Sequence, residues 1–234
     1  MKKFIFNTIV PVLAAVIFST CSKQNDCVPP ALTVTSNEPV FVGETLTLSA
    51  TSDAGASFEW SGPNGFTSTL QNPTISNVTA AANGDYTVKA KVGECEKTKT
   101  ITVDVLANPP CSPANNSANL VYSMTFTSTT CGIATGGRYE MRGVGLQGDY
   151  RITFYNDPLL AGNAIYQLST MNTNSNNAFM QIDIGGIYAN WQATSGQLYV
   201  KIVNNKITAT FCSATFGNIQ GGPPQNGSGK VSCP

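Results

Sequence analysis

The sequence predicts an all-β fold of two antiparallel β-sandwich domains, the second of which is a sandwich or a barrel-like variant. Short runs of alternating apolar and polar residues recur along the chain, separated by turn residues, as strands do in such domains. No stretch shows the 3.6-residue periodicity of an amphipathic helix. Apolar residues make up 41% of the 234 residues and charged residues only 11%, so the chain has enough apolar surface to form cores.

The charge balance and the absence of histidine exclude several functions. Thirteen basic and thirteen acidic residues give a formal net charge of zero, so no basic excess indicates a nucleic-acid partner. Without histidine, the chain cannot form Ser-His-Asp or Cys-His catalytic systems or histidine-containing zinc sites. An enzyme would have to use carboxylate, lysine, tyrosine or threonine side chains alone. We expect a non-catalytic protein with no catalytic residues, no metal and no cofactor.

The N-terminus has the features of an export signal. Residues 1–20 contain two early lysines followed by an apolar stretch at 4–18, which is too short and too interrupted to span a membrane and fits a signal peptide. The small residues before Cys21 resemble a lipobox, in which the cysteine is lipidated, and residues 21–26 then form a tether. This resemblance implies an exported protein, anchored to the membrane by its N-terminal lipid at the outer membrane or cell surface of a Gram-negative bacterium.

The cysteine count agrees with export. With Cys21 assigned to the lipid, six of the seven cysteines remain, an even number that predicts disulfides in an oxidising compartment. No Cys-x-x-Cys pair is present, and the cysteines are widely spaced along the chain. Both features favour disulfides over metal ligation. The six cysteines are Cys27, Cys95, Cys111, Cys131, Cys212 and Cys233.

Residues 27–107 are predicted to form the first domain. Trp60 falls in a central strand, and a Gly-Asp-Tyr step ending at Tyr86 opens a later one. These residues, with the segments WSGPNGFTSTLQNPTISNVT and NGDYTV, resemble immunoglobulin-like and PKD-like domains. The resemblance implies that Trp60 is a core residue and that Tyr86 forms a tyrosine corner. Leu48 and Val88 stand where that family has its core disulfide, and two aliphatic side chains can fill the same space.

The same resemblance implies one disulfide and a role. Cys27 precedes the first strand and Cys95 lies in the hairpin between the last two strands, and these positions share one end of the fold. We therefore expect a Cys27–Cys95 bond. Domains of this class act as spacers or general interaction units, so neither Trp60 nor Tyr86 is taken as a ligand contact.

Residues 108–110 form a stiff Asn-Pro-Pro linker, and residues 111–234 are predicted to form an all-β C-terminal domain. Its clearest unit is the hairpin QLYVKIV–NN–KITATF, turned by Asn204 and Asn205. The segments AIYQLS and YANWQATSGQLYVKIVNNKITATF resemble an uncharacterised β-rich domain of secreted bacterial lipoproteins. That resemblance carries no established activity.

The four cysteines of this domain allow three pairings. We expect the local solution, Cys111–Cys131 with Cys212–Cys233, because it closes short loops. The alternative pairs Cys111 with Cys233 and Cys131 with Cys212, and would tie the ends of the domain together.

Two aromatic residues are the candidate ligand contacts. Tyr188 and Trp191 lie in the segment GGIYANWQ, where a Gly-Gly turn can expose large rings that stack on sugars. The alternative is that Trp191 fills one end of the sandwich core. The acids of the domain, Glu140, Asp149, Asp157 and Asp183, form no catalytic motif.

Three functional hypotheses follow. The leading one is a cell-surface lipoprotein in which an immunoglobulin-like spacer presents a β-domain that binds a glycan or an envelope protein. The second is a structural or accessory subunit of an envelope assembly. The third is a histidine-free glycoside-active enzyme, which would need two carboxylates facing a cleft.

Overall fold

The structure is a computed structural model that describes residues 27–121, 123–170, 176–184 and 189–234. The predicted signal peptide, the lipidation site Cys21 and the tether at 21–26 lie outside the described residues, and so does Tyr188. The all-β prediction is confirmed, because the described chain is built of strands and loops apart from isolated single-turn helices, of which α1 spans Pro158–Ala161.

The N-terminal unit is an immunoglobulin-like sandwich, as predicted. One sheet has the strand order β1-β3-β6 and the facing sheet the order β5-β4-β7-β8, with a short parallel pair β2–β9 at the side. Its strands are β1 Leu32–Ser36, β2 Val40–Phe41, β3 Leu46–Ser52, β4 Ser57–Ser61, β5 Thr67–Ser68, β6 Thr74–Ile75, β7 Gly84–Val92, β8 Cys95–Val103 and β9 Val105–Leu106.

The core of this unit contains the residues that the sequence pattern selects. Trp60, Tyr86, Leu48 and Val88 are all fully buried. The Tyr86 hydroxyl donates a hydrogen bond to the backbone oxygen of Ala82 at 3.0 Å, which is the tyrosine-corner contact. Leu48 and Val88 thus fill the sandwich core where a disulfide would otherwise cross it.

The C-terminal unit is one continuous, strongly curved sheet. The path runs β11-β10-β20-β19-β18-β15-β16-β14-β13-β12, and β17 pairs with both β16 and β19. Its strands are β10 Ser117–Asn119, β11 Ser123–Thr125, β12 Ser128–Ile133, β13 Tyr139–Gly145, β14 Gly148–Phe154, β15 Ala164–Leu168, β16 Asn177–Ile184, β17 Ala189–Ser195, β18 Gln197–Val203, β19 Lys206–Asn218 and β20 Gln225–Ser232.

Five of these strands close into a ring in the order β15-β16-β17-β19-β18, which encloses a core separate from that of the first unit. Strands β15 and β16 run parallel, whereas the sequence predicted antiparallel pairing throughout. Strand β19 can belong to two parts of the sheet because it carries a bulge between Phe211 and Ala214. A bulge bends a strand and increases its twist. On one edge, β18 pairs with the first half of β19 and β17 with the second, while β20 pairs with both halves on the other edge.

Local turn chemistry determines the hairpin between β18 and β19. Asn204 and Asn205 have φ angles of 50° and 63°, the left-handed values of the predicted two-residue turn. In the hairpin of β13 and β14, the ring of Tyr150 approaches the backbone of Gly143, which lies directly opposite it. A Cβ at Gly143 would overlap the Tyr150 ring, so glycine lets this ring cover the neighbouring backbone.

The disulfides confirm one expected pairing and correct another. Cys27 bonds to Cys95, as the immunoglobulin-like topology implied. In the C-terminal unit, however, the expected local pairing Cys111–Cys131 with Cys212–Cys233 is wrong, and so is the alternative that joins Cys111 to Cys233. The bonds are Cys111–Cys212 and Cys131–Cys233.

The closure of the sheet explains why the expected pairing of these four cysteines is wrong. Strand β12, which carries Cys131, is the last strand of the path, and β20, which ends beside Cys233, is near the other end. Closure of the sheet brings these distant strands together, while Cys111 at the end of the linker lies beside the bulge of β19. Cysteines that are near in sequence therefore face different neighbours.

Candidate functional site

The two units meet in a packed junction. Phe41 of the first unit is 2% exposed and Tyr199 of the second is 9% exposed, yet neither belongs to a hydrophobic core of its own unit. Both rings are therefore buried by the contact between the units. Asn108 of the linker strengthens the junction by donating a hydrogen bond from its side chain to the backbone oxygen of Val42 at 2.9 Å.

A polar cluster holds the junction at its side. Asn163 donates from Nδ2 to the backbone oxygen of Pro39 at 3.0 Å, and its Oδ1 accepts the backbone N–H of Ile202 at 2.8 Å. Glu44 forms an ion pair with Lys201 of β18. Because these contacts use side chains from both units, they fix the orientation of one unit against the other.

A cleft of about 210 Å³ opens beside this cluster. Its wall in the C-terminal unit is the outer face of three neighbouring strands, β18, β19 and β20. Tyr199, Thr210 and Lys230 form one row across these strands, since Thr210 pairs with both of the others. The cleft is lined by Phe41, Asn108, Pro109, Tyr199, Lys201, Thr208, Thr210 and Lys230.

Two groups in this cleft lack partners. Thr210 is only 5% exposed, and its hydroxyl forms no hydrogen bond within the described parts of the chain. Lys230 is half-buried and has no ion pair among the described residues, whereas Lys201 is neutralised by Glu44. A hydroxyl that reaches the cleft surface and a cation without an ion pair, both beside an open volume, are features of a binding site.

Comparisons with known proteins do not assign the chain to a family. No family model matches it, and no curated protein matches it. The immunoglobulin-like fold is therefore established by the strand order and the tyrosine corner. The predicted resemblances to PKD-like domains and to a lipoprotein β-domain stay predictions.

Three solved structures give similarities of low score. The amphioxus IgVJ-C2 molecule is 28% identical over 33% of this chain and 44% of its own length, with a TM-score of 0.29, so the chain spans less than half of that molecule. Murine CEACAM1b is 14% identical over 77% of this chain and 92% of its own, with a TM-score of 0.32. The outer capsid protein Hoc of bacteriophage RB49 is 16% identical over 87% of this chain and 70% of its own, with a TM-score of 0.30. Scores this low carry no argument about function.

Of the two interpretations of Trp191, the structure agrees with the core residue and not with the exposed ligand contact. This residue lies on β17, opposite Ile182 of β16, and is 7% exposed in the C-terminal core. The sequence places Trp191 beside a predicted Gly-Gly turn and does not reveal that it lies in β17, whose alternation turns the ring inward. Its possible partner Tyr188 lies outside the described residues.

The other aromatic residues of the C-terminal unit are also mostly internal. Tyr139, Tyr150 and Tyr166 are each less than 8% exposed. Burial raises the pKa of all three phenols above the ordinary value, and the Asp157 carboxylate adds to the effect at Tyr139 and Tyr166. They therefore stay protonated at neutral pH, and a tyrosinate base is not formed there.

Three of the four acids of the unit lie on a polar sheet face, whereas Asp157 lies in the loop before α1. Asp149 and Asp183 are directly opposite each other on β14 and β16, a proximity that the sequence did not reveal. Asp149 forms an ion pair with Arg142 at 3.5 Å, and Asp183 accepts a hydrogen bond from Gln181 at 2.8 Å. Arg151 similarly pairs with Glu140 at 3.5 Å. These partners account for the acids as surface pairs that stabilise neighbouring strands.

The described residues contain neither a metal-binding cluster nor a helix suited to cross a membrane. Within them, no cluster of three or more Cys, Asp or Glu side chains is arranged to hold a metal ion. No helix in the described ranges has the length and apolar character to cross a membrane.

Proposed function

We propose that this chain is a non-catalytic cell-surface protein that binds a glycan in the cleft between its two units. The cleft is the observation that carries the proposal, since it combines hydroxyl groups, amino groups and the small cleft-facing part of two largely buried aromatic rings in one partly enclosed volume. Aromatic rings with nearby hydrogen-bonding groups are suited to sugar rings, which have apolar faces and polar edges. The volume is below the roughly 300–1,000 Å³ of sites for drug-sized ligands, so it accommodates one small unit of a chain.

The fixed junction supports this use. Lining residues come from the first unit, the linker and the second unit, so their spacing depends on the angle between the units. The hydrogen bonds of Asn163 and the Glu44–Lys201 ion pair hold that angle before any ligand arrives. A preformed site loses less conformational entropy on binding.

The three disulfides indicate an exported protein. The lipid anchor on Cys21 and the outer-membrane location belong to the proposal and follow from the lipobox-like sequence alone. In this arrangement the immunoglobulin-like unit lies nearest the anchor and acts as a spacer. The second unit and the cleft are then held away from the membrane.

Glycan arrays test the proposal directly. The full-length exported protein, extracted in a mild detergent, is expected to bind at least one class of saccharide. Thr208→Trp fills the cleft from the outer face of β19 and is expected to abolish that binding. Thr98→Trp is the matched control, because Thr98 is exposed on β8 of the first unit and far from the cleft, and it should bind as the native protein does.

Two results would count against the proposal. Binding that survives Thr208→Trp would place the saccharide elsewhere, and no binding by the native protein would remove the glycan hypothesis. The structural-subunit hypothesis would then gain weight from the tip of the β13–β14 hairpin, where Leu146 is 98% exposed and Val144 is 43% exposed. An envelope partner captured by the native chain and lost in Leu146→Asp would support that second function.

A further inference from the structure

The charge of the junction cleft indicates which saccharides it selects. Its lining contains two lysines and no aspartate or glutamate. Lys201 is balanced by Glu44, whereas Lys230 has no ion pair within the described residues. A single uncompensated ammonium group in a partly enclosed cleft attracts anions more strongly than one on an open surface.

The neighbours of Lys230 add directional groups. Thr210 lies beside it in the strand register, and the Thr210 hydroxyl can donate to the same acceptor that the ammonium binds. The Tyr199 hydroxyl is already committed, because it donates to Gln197 Oε1 at 2.9 Å. Thr210 and Lys230 thus remain as the unpartnered donors of the row, and an acceptor with two oxygens satisfies both.

The opposite wall limits the rest of the ligand. Pro109 and the small accessible part of Phe41 contribute apolar surface, and the cleft volume of about 210 Å³ matches one compact ring. A compact ring that carries one carboxylate matches both walls, with its apolar face on the aromatic side and its carboxylate at Lys230. Charge-assisted hydrogen bonds of this type are shorter and stronger than neutral ones.

We propose that the junction cleft binds an acidic saccharide unit, with Lys230 and Thr210 holding its carboxylate. This inference rests on the proposed glycan-binding function and specifies the chemical class of the ligand. Lys230 is a binding residue here, and Glu44 acts as a positioning residue because it neutralises Lys201 and leaves Lys230 as the single unbalanced charge. The cleft therefore discriminates between an acidic sugar and its neutral counterpart.

Calorimetric titration with two matched sugars tests the inference. Galacturonate and galactose share the same ring configuration and differ at the carboxylate, so the full-length protein is expected to bind galacturonate at least about tenfold more tightly. Lys230→Gln should remove that preference by weakening galacturonate about tenfold. Lys206→Gln is the control, because Lys206 is an exposed lysine at the start of β19 that does not line the cleft.

The outcomes separate this inference from the function on which it rests. Equal affinity for the two sugars, unchanged affinity in Lys230→Gln, or array binding confined to neutral glycans would each overturn the acidic-ligand assignment while glycan binding stands. No affinity for either sugar together with an empty array would overturn both. An unchanged circular dichroism spectrum of Lys230→Gln would exclude misfolding as the cause of lost binding. Thr210→Val is a second variant that is also expected to weaken galacturonate binding.

Discussion

Replacing Cys131 and Cys233 by serine is expected to lower the free energy of unfolding by about 4–5 kcal/mol. The bond joins residues 102 positions apart, and a cross-link that closes a loop of about 100 residues removes roughly that much chain entropy from the unfolded state. It also ties β12, the last strand of the sheet path, to the end of β20. Denaturant unfolding followed by tryptophan fluorescence measures the loss.

The second disulfide of the same unit provides the control. Cys111 and Cys212 are 101 positions apart, so the entropy model predicts the same loss for both double variants. A larger loss without Cys131–Cys233 would measure the added effect of an untethered edge strand. A loss below about 1 kcal/mol, or a non-reduced peptide map that joins Cys111 to Cys131, would contradict the pairing and the sheet closure described here.

Phe154→Ala is expected to destabilise the C-terminal unit by about 3–5 kcal/mol, the range for removing a buried phenylalanine. Phe154 is fully buried and makes edge-on contacts with two tyrosine rings. The distance between ring centroids is 6.3 Å to Tyr139 and 5.0 Å to Tyr166. Truncation leaves a cavity that these rings cannot fill. Thermal unfolding monitored by near-ultraviolet circular dichroism gives the change.

The next residue in the chain is a matched control. Tyr155 points to the opposite side, is 45% exposed and has one cation–π contact, with Arg138 at 5.9 Å. Tyr155→Ala is therefore expected to cost at most about 1 kcal/mol. Similar losses for the two variants would mean that Phe154 is not a core residue, and that the assigned face of β14 is wrong.

The first unit could be predicted from its sequence because its signals are local. Trp60 and Tyr86 each belong to a short motif with a defined place in the fold, and both are fully buried as expected. The Cys27–Cys95 bond followed from that topology. When a short motif determines a contact, the surrounding strands can be placed without knowing the distant pairings.

The second unit could be predicted only in part because its closure depends on distant pairings. Alternation gave the β18–β19 hairpin correctly, because its two strands are neighbours in sequence. Strands β12 and β17 were missed, and with β17 the inward direction of Trp191. Neither the parallel β15–β16 pair nor the two disulfides had a local signal.

The junction cleft has no continuous sequence signal. Phe41 comes from a two-residue strand, Asn108 from the linker, and Thr210 and Lys230 from strands that are neighbours only in the folded sheet. The alternation in β18 did predict that Tyr199 faces away from the core. Nothing in the sequence indicated that a second unit would bury this ring.

Nuclear magnetic resonance mapping of the sugar site tests the central claim most directly. Galacturonate is titrated into the isotopically labelled full-length protein, and shifted amide signals are assigned to residues. We predict that the shifts cluster at Phe41, Asn108, Thr208, Thr210 and Lys230. Shifts confined to the outer face of β14 and β16, around Asp149 and Asp183, would contradict the junction site and favour the carboxylate pair.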